Sequence, residues 1–238
     1  MNYQLTFDGH VLSDSFTIER HATRSLSMWE TNLVDVPGRD GSMFGGTRHA
    51  PVSLSFDLYA IGGTRDERQQ AMRALAGWLA VDEPKRLALG DECGLWRMAI
   101  PNDESTQEAY LNADYASVTF VCPDPWLYGE EHEWALGSST TLLVGGSCEA
   151  PIDITVTGAR AGTLTVTNTT TGQSLSVSGV PAGAAVSIKS SECVVTVNGT
   201  TKVLTASSRW LHAQPGENVI TVTNGGTSVV ASVTDRWW

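Results

Sequence analysis

The sequence predicts a mainly β protein with an N-terminal β-sandwich-like domain that carries one α-helix, followed by a C-terminal antiparallel β-sandwich. Three observations support this fold class. Residues 52–59 alternate strictly between apolar and polar side chains, as half-buried strands do. Residues 64–84 hold the one convincing helical pattern. Residues 148–238 contain 16 threonines and 14 valines and no helical pattern, and β-branched residues favour strands.

The N-terminal half opens with Asp8-Gly9 between two short alternating runs, which predicts a tight hairpin turn. The glycine-rich segment 43–46, by contrast, is expected to be too flexible for a rigid element. The strands predicted in this half are residues 3–7, 10–12, 16–18, 33–36, 52–59, 85–89, 95–100 and 110–121.

The helix should begin with a capping box, in which the Thr64 hydroxyl and the Glu67 carboxylate bind the first backbone N–H groups. Pro84 is expected to end it. One stripe at helical spacing should face a sheet, and it consists of Met72, Leu75, Ala76 and Leu79.

Short alternating segments recur every eight to twelve residues in the C-terminal half, which is typical of an antiparallel sandwich. Two of them end in the same Thr-Val-Thr-Asn sequence, at residues 165–168 and 221–224, and are interpreted as similar hairpin strands. The predicted strands are residues 152–156, 163–167, 174–177, 185–189, 194–197, 219–223 and 229–233. Glycine and serine clusters at 137–141 and 145–147 predict connections, which places the domains at 1–137 and 148–238.

Charge supports the same division. The net charge is −11, with 21 acidic and 10 basic residues in 1–147 and five of each in 148–238. Stable nucleic acid binding is not expected, because it requires clustered lysine and arginine. A signal peptide and a membrane span are not expected either, since no basic start and no apolar run of ~20 residues occurs.

No catalytic, cofactor or metal motif is found, which predicts that the protein is not an enzyme. In Glu131-His132-Glu133, a strand would place the two glutamates on one face and the histidine on the other, which suits a metal poorly. Four cysteines (Cys93, Cys122, Cys148 and Cys193) lie far apart in sequence. Buried thiols are expected for them rather than disulfides or a zinc site.

The stretch Val34-Asp35-Val36-Pro37-Gly38-Arg39-Asp40-Gly41 predicts a type II turn. Proline presets φ at its second position, and glycine supplies the positive φ at its third. Arg39 and Asp40 then stand at the tip, either as an ordinary solvated pair or as a contact. Far downstream, two prolines end a strand in Phe120-Val121-Cys122-Pro123-Asp124-Pro125-Trp126-Leu127-Tyr128-Gly129.

These two segments together resemble the distal tail protein family of long-tailed bacteriophages. Its N-terminal domain carries a V-P-G-R-D-G turn and a later exit of the form F-x-x-P-D-P-aromatic-x-Y-G. The opening hairpin and the capped helix occur in the same order, so the resemblance covers most of residues 1–135. Residues 148–238 resemble the family's galectin-like C-terminal sandwich by architecture, without an evident sugar-binding insertion.

The resemblance implies a non-enzymatic structural protein of the virion tail that is assembled in the host cytoplasm. Six copies would form a ring at the distal end of the tail tube, with the tail tube protein and the tail-tip or baseplate proteins as partners. Arg39 is expected to contact a neighbouring chain, or to hold the turn for that contact. The implied assembly residues are those of the turn (Pro37, Gly38, Arg39, Asp40 and Gly41) and of the exit (Pro123, Asp124, Pro125 and Trp126).

Two other functions stay open at this point. A tail tube protein is close in class but is not expected to carry a second domain. A carbohydrate-binding, lectin-like receptor protein would need exposed aromatic side chains on one sandwich face. The second half offers only Trp210, Trp237 and Trp238, and Trp210 is expected to fill the core instead.

Overall fold

The computed structural model describes residues 3–20, 29–102, 106–109 and 114–238. The chain is mainly β, with one α-helix among these residues, which confirms the predicted fold class. It forms two compact units, residues 1–127 and 128–238, each with its own hydrophobic core. This division falls earlier in the chain than the boundary expected between 137 and 148. The reason is that residues 128–144 supply strands to the sheets of the second unit.

The first unit is built on one antiparallel path of strands, in the order β2-β1-β7-β8-β10-β6-β3, with β9 beside β10. Strands β4 and β5 form a separate two-stranded sheet. The strands are β1 (Leu5–Phe7), β2 (His10–Val11), β3 (Phe16–Arg20), β4 (Trp29–Asp35), β5 (Ser42–His49), β6 (Val52–Ala60), β7 (Lys85–Leu89), β8 (Trp96–Pro101), β9 (Thr106–Ala109) and β10 (Asp114–Cys122). A single 3-10 turn spans Leu12–Asp14, and the predicted residues 110–113 lie outside the described part of the chain.

Helix α1 spans Arg65–Leu79 and begins with the predicted capping box. The Glu67 N–H donates to the Thr64 hydroxyl at 3.3 Å, and the Thr64 N–H donates to the Glu67 carboxylate at 3.0 Å. This hydrogen bond from the Thr64 backbone lowers the pKa of Glu67. The helix ends at Leu79, before Pro84 is reached. The first backbone N–H groups of a helix need hydrogen-bond acceptors, and here side chains close in sequence provide them. The start of the helix could therefore be located from the sequence.

The buried stripe of α1 differs from the prediction at one position. Met72 and Leu75 are buried as expected, but Ala76 is exposed and Arg68 is buried in its place. The Arg68 Nε donates to the Asp114 carboxylate at 3.1 Å, with side chains 9% and 1% exposed. The Gln69 amide donates to the other Asp114 oxygen at 2.8 Å. A hydrophobicity pattern does not register a buried ion pair, so the sequence analysis missed this contact.

Aromatic side chains from three strands form the centre of the first core. The Phe7 and Phe120 ring centroids are 4.9 Å apart, and those of Phe56 and Phe120 are 6.1 Å apart. Met72 and Leu75 of α1 belong to the same cluster. The helix therefore closes the sheet over a core that excludes the β4–β5 pair.

The second unit is an antiparallel sandwich of two main sheets. One sheet has the order β19-β18-β17-β14-β22-β11 and the other β12-β21-β15-β16, with a small β13-β20 pair. The strands are β11 (Leu127–Ala135), β12 (Ser139–Val144), β13 (Ala150–Pro151), β14 (Asp153–Thr157), β15 (Gly162–Asn168), β16 (Gln173–Val180), β17 (Val186–Lys189), β18 (Val194–Val197), β19 (Thr200–Thr201), β20 (His212–Ala213), β21 (Gly216–Thr223) and β22 (Ser228–Trp237). Strand β12 lies where a connection was predicted, since its apolar residues follow directly on the serine and threonine cluster.

The two Thr-Val-Thr-Asn segments are neighbours in the second unit. They lie at the ends of β15 and β21, which pair with Asn168 opposite Ile220. The Asn168 side chain is fully buried and donates to the backbone of His212 and to Asn218, at 2.8 and 3.2 Å. Its carbonyl oxygen accepts from the Thr170 N–H at 3.0 Å. Because buried amides need partners, this network fixes where the loops meet the sandwich.

Ser208 and Arg209 form hydrogen bonds to the outer edge of β16. The Ser176 N–H donates to the Ser208 hydroxyl at 3.1 Å, which in turn donates to the Ser176 carbonyl at 3.4 Å. The Arg209 N–H donates to the Ser174 carbonyl at 2.8 Å. At the other end of this sheet, β12 pairs on one side only within the described strands, and Leu143 on it is 69% exposed. The outer edge of β16 is therefore capped at Ser174 and Ser176, whereas β12 has no strand on its outer side among the described residues.

The Asp114 ion pair gives a prediction about stability. Replacing Asp114 with alanine should lower the free energy of unfolding of the first unit by about 3 kcal/mol, because the Arg68 guanidinium would stay buried without its anion. Urea denaturation followed by circular dichroism measures the change. The double variant Arg68→Met, Asp114→Leu should recover most of the loss, since both charges are removed. A double variant as unstable as the single one would contradict this explanation.

Candidate assembly surface

The predicted turn forms the tip of a β-hairpin made by β4 and β5. The Arg39 N–H donates to the Val36 carbonyl at 3.2 Å, and Gly38 has φ +82°, so Pro37 and Gly38 form the type II turn that the sequence predicts. The Ser42 hydroxyl donates to the Asp35 carboxylate at 2.5 Å just below it. Arg39 is exposed and makes no ion pair with any residue that the structure describes.

The glycine-rich segment 43–46 is part of β5, which corrects the expectation that it is not a rigid element. Asn32 pairs with Gly46 and Leu33 pairs with Phe44, so Gly45 is an extra residue in the ladder. Gly46 has φ +117°, a conformation that a residue with Cβ rarely adopts. The glycines therefore serve a β-bulge, which increases the local twist of the hairpin.

The distal half of the hairpin exposes apolar side chains on both faces. Residues opposite each other in a ladder lie on the same face, and successive residues lie on opposite faces. Leu33 and Phe44 therefore share one face, and Val34 and Met43 share the other. These four side chains are 59%, 68%, 48% and 46% exposed. A two-stranded sheet has no further layer with which to cover them.

The proximal half of the hairpin is polar on one of these faces. Glu30 and Arg48 form an exposed ion pair at 2.7 Å, which contributes little to stability. The bulge next to them opens a shallow depression of about 450 Å³. Its lining is Glu30, Thr31, Asn32, Gly45, Gly46, Thr47 and Arg48.

The exit segment is held by buried charges that sequence reasoning missed. Arg97 donates to the Pro125 carbonyl at 3.3 Å and to the Glu92 carboxylate at 3.0 Å, and both charged side chains are 4% exposed. The Trp126 N–H donates to the Asp124 carboxylate at 3.4 Å. A single arginine in an alternating strand carries no signal that distinguishes this role. Pro125 itself is buried, and Pro123 is exposed.

Trp126 connects the exit segment to the root of the hairpin. Its ring centroid lies 4.8 Å from that of His49, which lies 3.9 Å from that of Trp29. Trp29 and His49 face each other as the first pair of the β4–β5 ladder. The exit therefore meets the root of the hairpin, whereas Arg39 and Asp40 stand about 20 Å away at ~3.3 Å per residue. The two predicted groups of assembly residues do not form one site.

Two side chains of the Glu131-His132-Glu133 segment bond to strand β22. His132 Nε2 lies 3.3 Å from the Asp235 carboxylate, and Glu131 accepts a hydrogen bond from the Ser232 hydroxyl at 2.9 Å. Within the described ranges, no three histidine, cysteine, aspartate or glutamate side chains cluster in a way that could hold a metal ion. No helix of the described residues is long and apolar enough to cross a membrane.

The four cysteines are free thiols of two kinds. Cys122 and Cys148 are buried as expected, whereas Cys93 and Cys193 are exposed, which corrects the expectation for those two. Burial raises the pKa of the Cys122 thiol to about 11. The exposed pair lies in turns, where a period-two pattern gives no information about burial.

In comparison with known proteins, a family model matches each half of the chain. A model of a phage tail protein RIFT-related domain matches residues 7–122, and one of a siphovirus-type tail component, C-terminal domain, matches residues 145–237. A comparison with curated proteins gave no match.

Solved structures with a similar fold come from phage tails. The Dit protein of phage SPP1, described as a paradigm of the hub adsorption apparatus in phages that infect Gram-positive hosts, is 17% identical with a TM-score of 0.78. That similarity covers 100% of both chains. The phage P2 baseplate in its activated conformation with calcium contains a chain that is 11% identical, with a TM-score of 0.53 over 99% of this chain and 98% of that one. Its strontium form gives 11% and 0.52 over 98% and 97%.

The thiol environments give a prediction about reactivity. At pH 8, a colorimetric thiol reagent should modify two cysteines quickly in the folded protein and all four after denaturation. Cys122 should be protected because it is both inaccessible and protonated at that pH. The double variant Cys93→Ser, Cys193→Ser should lose the whole fast phase. Rapid modification of four thiols in the folded chain would contradict the described burial.

Proposed function

The chain belongs to the distal tail protein family of siphovirus-type phages, and on this premise we propose that it forms a ring at the distal end of the tail tube. The ring connects the tube to the baseplate or tip. Six copies assemble in the host cytoplasm, and the first unit of each supplies the contacts between copies. The protein acts by assembly rather than by catalysis.

The observation that carries this proposal is the exposed apolar hairpin. Six of the large apolar side chains that the described structure exposes lie on it or at its turn, and they are Trp29, Leu33, Val34, Val36, Met43 and Phe44. A concentrated apolar surface of this kind marks a protein interface. A hairpin that projects from one copy onto a different surface of the next makes a head-to-tail contact, and such contacts close into rings when the rotation permits.

The net charge and the structural similarity to phage tail proteins support the proposed binding partners. The first 147 residues carry all of the net charge of −11, so a wall made from them would repel the phosphates of DNA passing through it. The structural similarity includes a chain of a phage baseplate. We therefore propose the tail tube protein and the tail-tip or baseplate proteins as the partners.

The lectin-like alternative has less support. Sugar sites combine an exposed stacking ring with convergent polar groups in a concave face. Trp210 instead packs, partly buried, against the core of the second unit. Trp238, which is 47% exposed, ends the chain after β22. We propose that the second unit binds no soluble sugar.

Removing the apolar side chains of the hairpin should prevent ring formation. The double variant Leu33→Ser, Phe44→Ser is expected to shift the wild-type oligomer to monomer, because each copy loses the face that the next copy covers. Sedimentation velocity measures the shift, and electron microscopy of the wild type should show rings. The thermal midpoint should change by only a few degrees, since both side chains are exposed in the single chain.

The matched control for this experiment is Leu143→Ser in the second unit, where the side chain is 69% exposed but lies outside the hairpin. It should leave the oligomer intact. A hairpin variant that still assembles like the wild type, or a control that dissociates equally, would contradict the proposal.

Arg39 at the tip should contribute to the same contact. We expect Arg39→Ala to weaken oligomerisation while the thermal midpoint stays within a few degrees, because the side chain is exposed and makes no ion pair with a described residue. Sedimentation equilibrium and thermal unfolding measure the two effects. Arg39→Lys keeps the charge and serves as the control. A large drop in midpoint with unchanged assembly would make the turn a folding element instead.

A further inference from the structure

The direction of the hairpin depends on contacts at its root. Strands β4 and β5 pair with no other strand among the described residues, so no hydrogen-bonded ladder aligns them with the rest of the first unit. Trp29 and His49 form the first pair of the hairpin. Trp126, which lies 77 positions after His49 in the chain, packs on the His49 ring at 4.8 Å. This contact joins the root to a segment outside the hairpin.

A small rotation of the hairpin at its root produces a large displacement of its tip. The seven residues of β4 extend about 23 Å at ~3.3 Å per residue. On that length, a rotation of about 10° at the root displaces the tip by about 4 Å. Protein interfaces pack as densely as protein interiors, so a shift of this size removes contacts with a partner. Ring formation through the hairpin therefore requires a fixed root.

The exit segment is built to fix Trp126. Pro125 locks its own φ and restricts the conformation of Asp124 before it. The Asp124 carboxylate accepts from the Trp126 N–H at 3.4 Å, and the buried Arg97 binds the Pro125 carbonyl at 3.3 Å. Glu92 holds Arg97 at 3.0 Å. A buried ion pair adds little net stability over apolar residues of the same size. Its consequence here is a fixed position for the residue next to Trp126.

We propose that Trp126 is a positioning residue for ring assembly, and that it orients the hairpin toward a second copy of this chain by packing on His49. The inference rests on the proposed ring. It gives the exit segment a role inside one chain, where Trp126 acts through His49 rather than by touching the partner. It also gives the two motifs different roles. The turn at the hairpin tip contacts the neighbouring copy, and the exit segment sets the orientation of the hairpin.

The chain offers a matched control in Trp78. Its ring stacks on His10 with centroids 4.8 Å apart, the same distance as in the Trp126–His49 contact. Both tryptophans are partly buried and belong to the first unit. Trp78, however, lies on α1 and contacts β2 rather than the hairpin. Trp78 also packs against the first core, whereas Trp126 is not part of that cluster. Removing Trp78 should therefore cost at least as much packing, and only a positioning role would make Trp126→Ala the variant that broadens the hairpin orientation.

The first measurement records hairpin orientation in the single chain. Nitroxide labels at the tip (Asp40→Cys) and on α1 (Arg73→Cys), in a chain with Cys93→Ser and Cys193→Ser, report a distance distribution by pulsed electron paramagnetic resonance at a dilution where the chain is monomeric. Trp126→Ala should at least double the width of the distribution. Trp126→Phe, which keeps an aromatic ring, and Trp78→Ala should leave the width unchanged.

The second measurement is assembly of the full-length chain without labels, by sedimentation equilibrium. Trp126→Ala should raise the dissociation constant between copies at least tenfold, whereas Trp126→Phe and Trp78→Ala should stay within threefold of the wild type. If Trp126→Ala does not fold, His49→Ala is judged by the same criteria.

Three results would overturn the inference. They are an unchanged width in Trp126→Ala, equal broadening in Trp78→Ala, and a broadened distribution with unchanged assembly. A wild-type chain that stays monomeric at every concentration would instead refute the proposed ring. The width would still decide whether Trp126 orients the hairpin, so the two failures remain distinguishable.

Discussion

A hairpin of two strands cannot bury its own side chains, and this constraint governs the first unit. Leu33 and Phe44 lie on one face of the β4–β5 pair and Val34 and Met43 on the other, so folding of the single chain leaves all four in water. Such a pair of strands is marginally stable alone. The main core of the unit, around Phe120, is complete without it. The apolar residues that form this core are therefore distinct from those that we propose for assembly.

The two units bury their apolar side chains in different ways. In the first, one helix closes a strand path over aromatic rings, and buried ion pairs at Arg68 and Arg97 fix particular segments. In the second, β-branched side chains fill a sandwich, and the buried amides of Asn168 and Asn218 fix the loops. In each unit, polar groups inside the protein specify geometry, because each demands particular partners. Apolar packing provides the bulk of the stabilisation.

Much of this architecture could be predicted from the sequence because local patterns determine it. The capping box of α1, the Pro37-Gly38 turn and the period-two strands all depend on neighbouring residues. The misjudged features depend on distant ones. Glycines at 45 and 46 suggest flexibility until Asn32 is known to lie opposite Gly46. Arg97 gains its importance only when chain folding brings it to Pro125. The turn at the tip of the hairpin could thus be located from the sequence, whereas the contact of Trp126 with His49 at its root could not.

The hydrogen bonds of Ser208 to the edge of β16 have a consequence for the polymerisation of this protein through its sheets. A sheet with two open edges can add a strand from another molecule at each edge. Each added molecule then exposes a new edge for the next one, as in amyloid growth. In the proposed ring, six such domains would lie close together, at an effective concentration in roughly the millimolar range. With β16 capped at Ser174 and Ser176, β12 is the edge of this sheet that stays available to another strand among the described residues. Strand addition through that sheet would then be favoured at β12 alone, so the hydrogen bonds of Ser208 and Arg209 to β16 act against the growth of fibres.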